Sequence, residues 1–486
     1  MASKRALIFM LAVFTATLIA SEAIAGGYAL SGIGARAQSM AGAYRAVADD
    51  WSAVYYNPAG LARIEKSQLN FDLGFASHRP SYDPDVSLNG YTFGYPTGER
   101  YPDDQVTYFP NFGAVLVAPF GFPGTVAFAM YEPFDENLEW DLYRFAEGYN
   151  PNNELLPDIE YRNNIDVLDF QASFATSFAD DKFHVGLGLS LYRGDLHTSQ
   201  ISLVPSTLDY KLSARPYDMF VKWTDADVWG FGFGFDVGML YDITEKVSIG
   251  ANYRSKSKIK MDGDVVARFY TPDNPEIQPK YDQNEYPEID TIFSGVPLDG
   301  THQADIDMTI PSQFGVGISF KPSEKVTLAA DFAYTMWSEF EDLEVDFTYT
   351  RGPQGINSWP TVQGIIFSEY AYPYDWDDAI RLSLGIEGQA NENIKVRGGY
   401  SYDQSPVPDE AGTPLITDTG DSHHIAAGLS YFVSIFEFAA AAEFVAMPER
   451  DVETVEDFND DGVWDNLSGT YKNTALNTSF SVTIRF

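Results

Sequence analysis

Three groups of residues in this 486-residue chain have types and spacings that chemistry could use. The first is Asp457-x-Asn459-x-Asp461-Gly462, with Asp465 beyond it. Oxygen ligands at alternate positions and a turn-forming glycine are what Ca²⁺ asks of a loop. Ser468, however, stands where a closing bidentate glutamate would be, and no flanking helices are expected. The segment therefore reads as an acidic, solvated loop tip, with calcium at Asp457, Asn459 and Asp461 as the alternative; no other cofactor is expected. The second group is His423-His424, at the start of a strand pattern. Neighbours on a strand point to opposite faces, so the pair cannot share a metal. No nucleophile motif accompanies them, and nothing in the sequence points to an enzyme. The third is Gly230-x-Gly232-x-Gly234, a phosphate cradle only if a helix followed, and none does. With 70 Asp+Glu against 31 Lys+Arg and no cysteine, the chain has neither a thiolate site nor the basic patches that a nucleic-acid partner requires.

The elements that would position such residues are better defined than the chemistry. Lys4 and Arg5 precede an apolar run over 6–20 and then Ala23-Ile24-Ala25. A charged start, a short apolar stretch and a small-x-small site read as a removable signal peptide over 1–25, with the mature chain beginning at Gly26. The run is too short for the ~20 residues that span a bilayer. Aromatic residues make up 15% of the chain, yet its mean hydropathy is only −0.20. A barrel explains both, because half of each strand faces a polar lumen.

Period-two alternation supplies the strands. Leu476, Phe480, Val482, Ile484 and Phe486 share one face, while Ser479, Ser481, Thr483 and Arg485 share the other. Such runs predict fourteen strands, near 67–77, 109–118, 124–133, 165–178, 183–197, 229–241, 246–261, 308–320, 325–340, 378–390, 393–404, 421–433, 435–447 and 473–486. Tight turns such as Asp180-Asp181 and Asn391-Glu392 alternate with long loops. Short turns at one end and long loops at the other identify an antiparallel outer-membrane β-barrel over 67–486 rather than a soluble sandwich. Its outward row, ending at Phe486, should meet membrane lipid and the barrel assembly machinery, while Arg485 turns into the lumen.

Residues 26–66 are not strand-like, and Asn57-Pro58 reads as a helix start, with Asn57 capping and proline at the first helical position. This segment could fold inside the barrel as a plug or hang outside it. In strand 229–241, Trp229, Phe231, Phe233 and Phe235 face one way and Gly230, Gly232, Gly234 and Gly238 the other. An inner face without side chains leaves room for a plug backbone.

Ala48-Asp49-Asp50 followed by Asn57-Pro58-Ala59 resembles the hatch motif of the FadL family of Gram-negative outer-membrane transporters. Trp229-Gly230-Phe231-Gly232, Tyr253-Arg254-Ser255, Trp337-Ser338 with Phe340, and Asp403 with Ser405-Pro406-Val407-Pro408 match in order. The resemblance spans nearly the whole mature chain. It implies a monomeric fourteen-stranded barrel with an N-terminal hatch, gated at Asn57, Pro58 and Ala59. It also implies passive uptake of a hydrophobic small-molecule ligand through loop capture, a lumenal pocket, hatch movement and sideways exit. Long-chain fatty acids are the first expectation, and alkanes or toluene-like aromatics the second. A surface receptor or adhesin using the acidic loops is the rival.

The family's side gap lies at a kink in the third strand, which corresponds here to Pro133; the alternative is that Pro133 merely ends its strand. Carboxylate-binding cations are expected near 196–199 or 370–374. Neither stretch holds one, although Arg193 and Arg351 are near in sequence. Arg254, Asp331, Arg381, Glu387, Lys395 and Arg397 fall on inward faces, either pairing with one another and the hatch or contacting ligand.

Overall fold

Alternating strands with one apolar face must bury that face, and here the hydrogen-bonded ladder runs full circle. The computed structural model describes residues 26–486 apart from 31, 88–92, 104–105, 148, 150–154, 206–218, 274–294, 341–342, 352–369, 373 and 458–463. The fourteen strands are β1 (Gln68–His78), β2 (Val106–Val117), β3 (Thr125–Trp140), β4 (Tyr161–Phe178), β5 (Phe183–Pro205), β6 (Met219–Thr244), β7 (Val247–Arg254 and Ser257–Tyr270), β8 (Leu298–Ile310 and Gln313–Ser323), β9 (Val326–Thr335 and Leu343–Arg351), β10 (Tyr370–Tyr372 and Ala379–Asn391), β11 (Ile394–Asp403), β12 (Ser422–Val433), β13 (Phe436–Ala446) and β14 (Thr474–Arg485). β14 closes on β1 in an unbroken register from Gln68↔Arg485 to His78↔Ala475.

The outward rows are apolar around the wall, from Phe71 (53% exposed) through Phe233 (75%) to Phe486 (61%). So large an exposed apolar surface requires a nonpolar surrounding. Among the described residues no helix is long and apolar enough to cross a membrane; strands make the crossing. Several strands run past their sequence-based limits at the long-loop end, β6 beginning at Met219 rather than near 229. There the loops pack on their own apolar core of Tyr95, Trp140, Tyr143, Tyr149, Tyr161 and Tyr270. A small sheet of Arg450–Val452, Gly469–Lys472 and Ser81–Pro84 ties them together.

Two departures from a regular barrel matter. β2 and β3 are paired only from Val117↔Thr125 to Phe112↔Met130. Beyond that, β2 stays with β1 and β3 with β4, where a bulge between Tyr131 and Phe134 contains Pro133. The wall therefore parts at this place. The second departure corrects the reading of the β6 glycines. A Cβ on Gly230 would lie 1.8 Å from the Lys260 carbonyl oxygen, and one on Gly232 2.6 Å from that of Lys258. Both glycines accommodate the second half of β7, which leans over β6 after the irregularity at 255–256. Gly238 alone of the four meets the plug, at Asn57.

Candidate hydrophobic transport site

The described residues of 26–66 pack against the inner face of the barrel wall. Short helices at Ala35–Gln38 and Ala53–Tyr56 and a 3₁₀ turn at Pro58–Arg63 pack around buried Met40, Tyr44, Trp51 and Tyr56. Asn57 is extended and its side chain accepts from the Ala59 N–H (3.1 Å), the cap that the Asn-Pro pair predicts. Its amide nitrogen donates to the carbonyls of Arg45 and of Met239 in β6 (both 3.0 Å). One side chain thus holds the turn, a second hatch segment and the wall. It fits only because Gly238 and Gly186 are bare, since a Cβ on either would fall 2.2–2.3 Å from Asn57 or Pro58.

The inward charges fasten the hatch. Glu387 accepts from Arg397 (2.7 Å), Lys395 (2.9 Å) and hatch Arg36 (2.9 Å). Asp331 accepts the backbone N–H groups of Tyr44 (3.0 Å) and Arg45 (2.8 Å). Buried charges persist only when so paired. Arg36 and Arg45 are the hatch partners that sequence reasoning did not single out. Arg485 bonds inward to Glu437.

Arg254 and Arg381 lie higher and line a cavity of ≈ 50 Å³ together with Gly26, Gln313, Trp337 and Asp403. Arg254 bonds Asp236 (3.1 Å) and the Tyr55 carbonyl (3.0 Å). Arg381 faces Asp403 (3.3 Å) and Glu443 (3.7 Å), while its buried Nε has no hydrogen-bond partner among the described residues. Against the cavity stands an aromatic cluster built from distant segments. The Tyr28 ring contacts Trp376 (5.1 Å between centroids), Phe340 (5.8 Å) and Tyr374 (6.3 Å). Trp337 joins through Trp376 (5.2 Å) and Phe134 (6.1 Å). Trp337 and Phe340 enter the lumen because β9 breaks between Thr335 and Leu343; Tyr374 and Trp376 enter at the matching break in β10. The failure of alternation at both places is the sequence signal that could have located them.

The hatch also meets the parted wall. Leu30 N–H donates to the Pro133 carbonyl (3.0 Å), and Asp135 N–H to that of Tyr28 (3.2 Å). The first hatch residues therefore bridge to the free edge of β3 at Ala29↔Phe134, with Leu30 packed on Phe109 and Ala76 across the break. Asp418, from the β11–β12 connection, holds the same segment by accepting the Gly27 N–H (3.1 Å). Burial pushes the Asp418 carboxyl above its ordinary pKa, opposed by Arg450 and these hydrogen bonds.

Other expected positions separate. Arg193 pairs with Asp195 (2.7 Å) on the opposite face from buried Tyr192, so it leaves the lumen, and His197 bonds Asp225 (3.1 Å). Of 370–374, Tyr374 joins the aromatic cluster. Asn459 and Asp461 of the acidic loop lie outside the described residues, and Asp457 lies at their border.

The chain matches the family model described as outer membrane protein transport protein (OMPP1/FadL/TodX) over residues 16–486. It is 26% identical over 433 residues to a long-chain fatty acid transport protein of Escherichia coli O6:H1, covering 85% of each chain. Among solved structures it resembles a Pseudomonas aeruginosa FadL homologue (TM-score 0.73, 19% identity, 95% of this chain and 100% of that one). It also resembles the Pseudomonas putida toluene transporter TodX (TM-score 0.64, 16% identity, 94% and 99%). With its closed fourteen-stranded wall and the family match along nearly its full length, the chain belongs to the OMPP1/FadL/TodX family of outer-membrane transport proteins for hydrophobic molecules.

Proposed function

We propose that this protein takes up long-chain fatty acids, with the acyl chain among the lumenal aromatics and the head group at the cavity lined by Arg254 and Arg381. The observation that carries this reading is Arg381: the side chain is half-buried beside that cavity, and its buried Nε has no hydrogen-bond partner among the described residues. A buried donor without a partner costs about 1–3 kcal/mol, which a carboxyl oxygen would recover. The fatty-acid name of the Escherichia coli relative supports the same class. Passage then requires residues 28–30 to leave the edge of β3, which frees the parted wall for sideways exit into the membrane. Asn57, Pro58 and Ala59 set how firmly the hatch resists. A pathway along apolar surface spares a greasy ligand the aqueous step that a water-filled pore imposes.

A second reading, uncharged hydrocarbons, is favoured by charge. Arg254 already faces Asp236, and Arg381 faces two carboxylates, so an ionised ligand adds negative charge where carboxylates already outnumber guanidinium groups. Arg381→Lys separates the two readings, because it keeps the charge and loses the planar Nε donor. Uptake of labelled oleate should fall while that of labelled toluene persists. Equal effects on both would overturn the fatty-acid assignment.

A further inference from the structure

Among the described residues the apolar interior above the hatch is not continuous. The loop-end core around Trp140, Tyr143 and Tyr161 and the lumenal core around Tyr28, Trp337 and Trp376 are separate bodies. Between them runs the connection 404–421. It leaves the wall at β11 and re-enters at β12, yet its middle bonds to β3 and β4, almost opposite on the barrel circumference. Trp140 Nε1–H donates to the Pro414 carbonyl (2.7 Å) and Asn163 to the Leu415 carbonyl (2.8 Å). Thr417 Oγ1 donates to Glu136 (2.9 Å), and the Thr417 carbonyl accepts from Asn473 (2.8 Å). Adjacent residues divide the two bodies: Leu415 packs into the loop-end core and Ile416 into the lumenal one.

We infer that segment 404–421 is a septum across the lumen, a second gate that a ligand moving from the loops must displace before it reaches the aromatic cluster. The polar bonds of this segment fit that role. They satisfy a backbone that crosses an apolar interior, and they can be exchanged for water when the segment swings aside. Asp418 makes the gate communicate with the hatch. Its Oδ1 accepts from Ser405 (2.7 Å) and Gly420 N–H (3.0 Å) within the segment, while its Oδ2 accepts from Gly27. Displacing the septum pulls on the first hatch residues, and these are the residues that seal the parted wall.

This inference rests on the transport reading, and cysteine crosslinking tests it separately, because the chain contains no cysteine of its own. Glu136→Cys with Thr417→Cys places two thiols across the bond between β3 and the septum, for closure by a short reducible bis-thiol crosslinker. Full-length protein in cells, with crosslinking verified by mass, should lose uptake of labelled oleate and of labelled toluene, and recover both on reduction. Asn163→Cys with Leu415→Cys ties the same segment to β4 and serves if the first pair does not assemble. Crosslinked protein that transports at its own reduced rate would overturn the septum. Wild-type cells that take up neither compound would instead count against the transport reading.

Discussion

Gly238→Ala is the smallest change that should free the hatch while leaving the wall intact. The new methyl would sit 2.2 Å from Asn57 Oδ1 and 2.9 Å from both the Ala59 nitrogen and Pro58 Cδ. Ordinary contact begins near 3.4 Å, so the Asn57-Pro58-Ala59 turn must retreat by about 1 Å. Overpacking of this kind costs ~1–3 kcal/mol. The retreat also stretches the Asn57 bonds to the Met239 and Arg45 carbonyls, each worth ~0.5–1.5 kcal/mol. Together these come to about 4 kcal/mol, on the order of a thousandfold in the ratio of docked to undocked hatch. Limited proteolysis should then cut within 26–66 while the barrel keeps its folded mobility on unheated gels, and uptake should change with it. Gly230→Ala is the contrast, since its methyl strikes the Lys260 carbonyl in the wall; it should weaken the barrel and leave hatch cleavage unchanged. A Gly238→Ala protein as protease-resistant and as active as wild type would refute the argument from close approach.

Glu387→Gln leaves Arg36, Lys395 and Arg397 facing a neutral amide. Breaking a buried ion pair from one side costs ~3–5 kcal/mol, so the urea midpoint should fall clearly; an unchanged midpoint would mean that the lumen screens these charges. Pro133→Ala restores a backbone N–H to the bulge in β3. If the proline keeps the wall parted, hydrophobic uptake should decline in this variant with stability held or raised, and unaltered uptake would reduce Pro133 to a strand irregularity.

Much of the architecture is legible from local pattern. Alternation is a property of neighbouring residues, so the strands appear wherever one face is apolar, and short turns against long loops orient them. The cap of Asn57 on Ala59 is equally local. The side of the wall on which Arg193 falls was also readable, because its parity is opposite to that of buried Tyr192.

Other features arise only on closure. Tyr28 and Trp376 are remote in sequence, yet their rings meet because β9 and β10 break at the same height and the hatch rises to that level. Gly230 and Gly238 have the same local pattern, but one accommodates β7 and the other Asn57, according to what the barrel places opposite each. The septum is still less visible, since 404–421 reads as an ordinary loop until the opposite wall supplies Trp140, Asn163 and Glu136. The physical reason is the same in each case. Period and turn chemistry act over a few residues and determine that a barrel forms. Strand register, set when β14 pairs with β1, determines which buried groups face one another across its lumen.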